Sequence, residues 1–276
     1  MLLKISHLTK YRYEHPVRYV LQQLRLMPKT GVGQTVLRWD VTLEGGAREL
    51  EFDDQFNNHV MLVSTNPEGT EISIRCEGEV ETTDLHGIIG VNSGFAPLWF
   101  FLRETPLTKP GVRIGKLIRE LGRDYASDVA MMHELSLLIA KSVPYRTGET
   151  HAETTAEEAL ATANGVCQDH AHIFISVVRQ LGFPARYVSG YLMMDDRIHQ
   201  EATHAWAEAY LPDIGWVGFD VSNGISPDER YVRVSTGLDY KDAAPISGLR
   251  VGHGGSFWMY PCRFSNNKRS MVRGLK

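Results

Sequence analysis

Apolar and polar residues alternate through much of the first hundred positions. Leu3-Lys4-Ile5-Ser6 opens the pattern, Val36-Leu37-Arg38-Trp39-Asp40-Val41-Thr42-Leu43 continues it, and residues 71–82 repeat it. Phe56-Asn57-Asn58-His59-Val60-Met61-Leu62-Val63 sets an Asn-Asn turn ahead of another strand. Period-two alternation sends successive side chains to opposite faces of a sheet. Short strands of this kind, separated by Gly and Asn turns, predict an antiparallel β-sandwich.

The period changes beyond Pro97 and Thr105-Pro106-Leu107-Thr108-Lys109-Pro110-Gly111. Ile114, Leu117, Ile118 and Leu121 recur at helical spacing, and Val129, Met132, Leu135, Leu138 and Ile139 give one apolar face to a helix over 127–142. Thr154-Thr155-Ala156-Glu157-Glu158 has the Thr-then-Glu spacing of a capping box at the start of a short helix. Asn164-Gly165 breaks the chain, and Ala171, Phe174, Ile175, Val178 and Leu181 form the stripe of a further helix, stopped at Gly182-Phe183-Pro184. Strands are predicted over 185–194, 203–211 and 215–221, followed by a tight turn at Val221-Ser222-Asn223-Gly224 and a Gly-rich tail. Strands first and helices packed with strands later make an α+β chain, divided as a β-rich region over 1–105 and an α+β region over 106–276.

Composition narrows the function classes. With 43% hydrophobic and 22% charged residues the chain is that of a folded protein. A net charge of −4 argues against an electrostatic nucleic-acid binder, and Lys268, Arg269, Arg273 and Lys276 read as a solvated basic end. No apolar run approaches the roughly 20 residues that span a bilayer, and Met1-Leu2-Leu3-Lys4-Ile5-Ser6-His7 turns polar too early for a secretory leader, so a cytoplasmic location is expected. Three cysteines without a Cys-x-x-Cys pair suit a reducing compartment. Cys76 shares a strand face with Ile72 and Ile74 and reads as a small buried hydrophobe, while Cys262 gives no reading.

Cys167 differs from these. It falls at the start of the helix that follows Asn164-Gly165, where unpaired N–H groups and the helix dipole favour a thiolate. His204, in Thr203-His204-Ala205-Trp206-Ala207-Glu208, and Asp220, ending Gly215-Trp216-Val217-Gly218-Phe219-Asp220, both belong to predicted strands. An imidazole near the thiol can take its proton, and a carboxylate can orient that imidazole. His204 alternates with Trp206 and Glu208; a glutamate on a buried face is costly, so this face is expected to line a cleft. Asp169, in the first helical turn, reads as a partner of the helix dipole, and His172, five residues along, is expected to point away from Cys167. A zinc site built from Cys167, His170, His172 and His204 is the rival arrangement, but three of these sit at i, i+3 and i+5 and do not share one helix face. No metal or cofactor is therefore assigned, and no EF-hand calcium loop is present.

The wording around these residues closely resembles the bacterial transglutaminase-like superfamily. Gly-Val-Cys-Gln-Asp-His-Ala-His over 165–172, Gly-Phe-Pro-Ala-Arg-Tyr-Val-Ser-Gly-Tyr over 182–191, His-Ala-Trp over 204–206 and Gly-Trp-Val-Gly-Phe-Asp over 215–220 carry the resemblance. It implies a papain-like core with a catalytic triad: Cys167 as nucleophile, His204 as base and acid, Asp220 as orienter. The opening His7-Leu8-Thr9-Lys10-Tyr11-Arg12-Tyr13-Glu14 resembles the β-rich region that precedes this core in bacterial relatives, and the segment from Leu238 to Gly248 resembles one that recurs there and is expected to fold back over the cleft. The implied activity is acyl transfer from peptide or isopeptide amides, most simply hydrolysis by a cysteine peptidase or amidase acting on a peptide or protein. The alternatives are an amine acceptor, giving a protein-glutamine gamma-glutamyltransferase, and a non-catalytic peptide-binding module. An arylamine acetyltransferase would carry Arg-Gly-Gly-x-Cys near its start, where this chain has Asn164-Gly165-Val166-Cys167. The Cys167 N–H is the natural first oxyanion donor, with Tyr145 or Trp206 as candidates for the second.

Overall fold

Burial along the first strand, β1 (Leu2–Arg12), alternates strictly: Leu3, Ile5, His7, Thr9 and Tyr11 face inward and their neighbours outward. The same periodicity shapes β3 (Gln34–Glu44) and β6 (Glu71–Thr82), which pair antiparallel with each other, β6 also pairing with β1. A second sheet is built on β2 (Tyr19–Met27), β5 (His59–Thr65) and β4 (Gly46–Asp53). Tyr11, Leu24, Met61, Val63, Ile72, Ile74 and Cys76 form one apolar cluster drawn from both sheets. The computed structural model describes residues 1–13, 19–67, 69–91, 94–122, 124–194, 199–200, 203–251, 257–260 and 269–275. Cys262 lies outside the described residues.

The second half is α+β. A short strand, β7 (Ile88–Gly90), and two 3-10 turns (Leu98–Leu102, Pro106–Thr108) lead to α1 (Val112–Leu121) and α2 (Asp128–Ser142). Then come α3 (Ala156–Thr162), α4 (Cys167–Gln180), β8 (Ala185–Leu192), β9 (His199–Gln200), β10 (His204–Leu211), β11 (Gly215–Phe219) and β12 (Tyr231–Gly237). One antiparallel sheet runs β12-β8-β10-β11-β7. Ala205, Ala207, Ala209 and Leu211 of β10, with Val217 and Phe219 of β11, turn toward α4 and join Ile173, Phe174 and Val177 in the largest core. Phe174 stacks on Phe219 with ring centroids 5.2 Å apart. Small residues on β10 let the helix lie close to the sheet, and that packing fixes where the first turn of α4 sits.

The C-terminal segment joins the other half of the molecule. After α5 (Tyr240–Ala243), β13 (Ile246–Val251) pairs with β2 and with β14 (Phe257–Tyr260), and β15 (Arg269–Leu275) pairs with β1. Its strands thus complete the two N-terminal sheets, where the sequence suggested an extension of the second half.

Two carboxamides tie the halves together. Gln34 donates to the Arg233 carbonyl (2.9 Å) and accepts from the Arg233 N–H (2.8 Å). Asn58 does the same at Thr236, at 2.7 and 2.8 Å.

Candidate active site

Three local features put Cys167 at the head of α4. Ala163 ends α3 in the left-handed region (φ 50°). Gly165 then passes so close to the next turn that a Cβ would meet the Asp169 Cβ at 2.8 Å, so a residue without a side chain is required. Asp169 reaches back to accept from the Val166 N–H at 2.8 Å and takes a second bond from the Thr150 hydroxyl at 2.7 Å. Its carboxylate closes the first turn as a cap. Burial pushes its pKa up, against those hydrogen bonds, and it is engaged with the backbone rather than with the thiol.

His204 opens β10, on the face opposite α4, where the strand end brings it to Cys167. Its Nε2 lies 2.6 Å from Asp220 Oδ2, and the ring is 9% exposed. The other ring nitrogen is left for Cys167, whose nearness raises the pKa of the imidazole. Burial alone would lower the His204 pKa; the Asp220 carboxylate and Cys167 outweigh it and hold the imidazole at about 10.

Asp220 is itself held by a set of donors. Oδ2 also accepts from the Tyr231 hydroxyl and from Asn223 Nδ2, both at 2.7 Å, and Oδ1 accepts from the backbone N–H of Ser222 at 3.1 Å and Asn223 at 3.3 Å. Burial works against the carboxylate, yet His204 and these donors bring its pKa below the usual value. The tight turn after Asp220 thus serves the carboxylate directly; Asp-x-x-Asn at 220–223 was its trace in the sequence. Nothing in the sequence marked Tyr231, which arrives from β12.

The remaining candidates separate clearly. His170 spends both ring nitrogens elsewhere, on the Val143 carbonyl (2.7 Å) and the Ser222 hydroxyl (2.8 Å), and so braces the turn that carries Asp220. His172 is fully buried, accepts from the Tyr240 N–H at 3.2 Å and packs against Tyr187. Neither joins Cys167 and His204. Of the two candidate oxyanion donors, Tyr145 lies near Cys167 and is 53% exposed; burial and the neighbouring thiol raise its pKa to about 12. Trp206 lies instead against His204, ring centroids 6.3 Å apart, and across Gly190, where a Cβ would strike its ring at 2.7 Å.

One expectation needs correction. The face of β10 bearing His204, Trp206 and Glu208 is not an open cleft wall at Glu208, which is 0% exposed. Two arginines make that burial tolerable: Arg186 donates to Oε2, and Arg233 Nε reaches Oε1 at 2.9 Å. Arg186 in turn lies 3.9 Å from the Trp216 ring centroid.

Similarity to known proteins agrees with this geometry. Residues 116–221 match the transglutaminase-like superfamily, and residues 3–81 match the bacterial transglutaminase-like N-terminal region. The chain belongs to the transglutaminase-like superfamily. A solved structure of a candidate cysteine protease from Cytophaga hutchinsonii superposes with a TM-score of 0.72 at 20% identity, covering 99% of this chain and 98% of that one. The fold is therefore shared over nearly the whole length of both chains. A Mycobacterium leprae protein of uncharacterized function is 28% identical over 91% of this chain and 94% of its own length. A protein-glutamine gamma-glutamyltransferase of Pseudomonas aeruginosa is 30% identical over 116 residues, which is 37% of this chain and 17% of that protein. Among the described residues, no helix of this transglutaminase-like chain is long and apolar enough to cross a membrane.

Proposed function

We propose that the protein is an acyl-transfer enzyme that cleaves peptide or isopeptide amides through Cys167, His204 and Asp220. The observation that supports this most directly is the buried His204–Asp220 pair at 2.6 Å with Cys167 near the same imidazole. His204 takes the thiol proton, and the sulfur attacks the carbonyl carbon of the substrate amide. The C–N bond breaks, the imidazolium gives its proton to the departing amine, and the acyl group stays on Cys167 as a thioester. In this reading the Cys167 N–H and the Tyr145 hydroxyl receive the negative charge that develops on the carbonyl oxygen. Asp220, fixed by Tyr231, Asn223 and the Ser222 N–H, orients the ring and supports its charged form.

Water as acceptor makes the enzyme a cysteine peptidase or amidase, the reading we favour. A primary amine as acceptor is the second reading, suggested by the similarity to the P. aeruginosa gamma-glutamyltransferase over 116 residues. A reducing, cytoplasmic setting fits a reaction that depends on a free thiol, and both described cysteines are unpaired.

The test is incubation with glutamine-containing and isopeptide-linked peptides, with and without a primary amine, followed by mass spectrometry of peptide and protein. Hydrolysis leaves free acid, aminolysis leaves the amine adduct, and either should pass through an acyl group on Cys167. Turnover that persists in Cys167→Ala would overturn the mechanism.

A further inference from the structure

Between the two halves lies a pocket that contains none of Cys167, His204 and Asp220, although Trp206 and Tyr231, which touch His204 and Asp220, form part of its lining. Its volume is about 210 Å³. Its floor is the Arg186–Glu208–Arg233 triplet on β8, β10 and β12, and the segments around Gly31 and Ile88 form its walls. Pockets at such junctions are common places for small ligands. The charges in this floor do not cancel: two guanidinium groups face one carboxylate. The other ions in the lining are already matched, Lys29 with Asp53 at 2.7 Å and Asp228 with Arg230 at 2.6 Å. Among the described residues one positive charge is therefore left over, beside the partly exposed Arg233. Burial lowers even the Arg186 pKa to about 10.

Arg233 is the group open to a ligand. Its side chain is 33% exposed, whereas Arg186 is 9% exposed and lies against Trp216. Arg233 uses Nε and one terminal nitrogen on Glu208, and no described residue takes its second terminal nitrogen. A planar guanidinium edge of this kind suits a carboxylate. The rim is apolar: Val32, Leu85 and Ile88 are each more than a third exposed.

We propose that this pocket binds a carboxylate borne by an apolar or aromatic residue, with Arg233 as its anchor. The chemistry is that of a peptide C-terminus or a free amino acid, and it stands apart from the reaction at Cys167.

Calorimetry on the full chain with N-acetylphenylalanine, phenylalanine and N-acetylphenylalaninamide tests it. At least one acid should bind at millimolar concentration or below, and the amide should bind more weakly by about tenfold or more, as loss of a charged hydrogen bond implies. Tighter binding of the acetylated acid identifies the peptide end as the source; tighter binding of phenylalanine identifies the free amino acid. Arg233→Gln should lose that preference for acid over amide. Val32→Glu, at a position 57% exposed and so compatible with folding, should weaken the acid and spare the amide. Protein alkylated at Cys167 should bind the acid unchanged. No binding of either acid, equal binding of acid and amide, full binding by Arg233→Gln, or loss of binding on alkylation would each overturn the proposal.

Discussion

Replacing Asp220 with asparagine keeps the shape of the side chain and removes its charge, which isolates what the carboxylate does for His204. An ordinary histidine titrates near 6.5; here the imidazole is held at about 10. That gap of about 3.5 units corresponds to about 5 kcal/mol in favour of the charged ring, at roughly 1.4 kcal/mol per unit. It is a net figure, because burial of a ring only 9% exposed acts in the opposite sense. Asp220 is the largest favourable contributor, ahead of Cys167. In Asp220→Asn the burial cost stays and the main compensation goes, so the His204 pKa should fall by more than two units, toward or below the ordinary value. The raised pKa also sets a sign for stability. The contribution of protonated His204 is complete below about pH 6.5 and is lost as pH rises through about 10. The assay is NMR titration of the ¹³C-labelled histidines in wild type and variant, with His204→Gln assigning the resonance. A wild-type His204 titrating near 6.5, or an unshifted titration in the variant, would refute the reasoning.

Three further outcomes are expected. Cys167→Ala should keep the wild-type melting temperature within a few degrees and abolish turnover, because Cys167 is only partly buried and packs at the margin of the core; calorimetry and the peptide assay check the two halves separately. Glu208→Ala should cost about 3–5 kcal/mol in urea unfolding, since it leaves Arg186 and Arg233 facing each other without their shared carboxylate. Gly165→Ala should destabilise by about 1–3 kcal/mol as the new Cβ displaces Asp169 from the Val166 N–H, and thermal unfolding together with the rate of Cys167 alkylation should both report the disturbed first turn.

Where a segment has one face in the core, its sequence announced its structure. β1 and β6 alternate because their inward faces are apolar, α2 shows its stripe, and the Thr155–Glu158 capping box forms at the predicted start of α3. β4 was less legible, because nearly all of Gly46–Asp53 is exposed and only Leu50 and Phe52 carry an alternation, over a few residues. β2 was obscured for another reason: its inward face, Val20, Gln22, Leu24 and Leu26, includes a buried glutamine that interrupts the apolar alternation. Cys167, His204 and Asp220 stood out by their surroundings, but Tyr231 did not, because its hydroxyl is recruited by a fold-level neighbour. Glu208 misled for a related reason. A carboxylate reads as solvent-facing until its partners are known, and Arg186 and Arg233 come from two other strands.

Gln34 and Asn58 have a consequence for how this protein can be divided. β12 is the outermost strand of the sheet that carries His204, with β8 as its neighbour on the other side. The backbone groups of Arg233 and Thr236 that meet the two carboxamides are those a further strand would otherwise claim. Each carboxamide presents one donor and one acceptor, as a peptide unit does, so the sandwich seals the edge without lending it a strand. Residues 106–276 expressed alone would carry that edge uncovered, and would be a template for pairing with the same edge of another copy. The sandwich is thus a guard against self-association as much as a neighbour of the reaction.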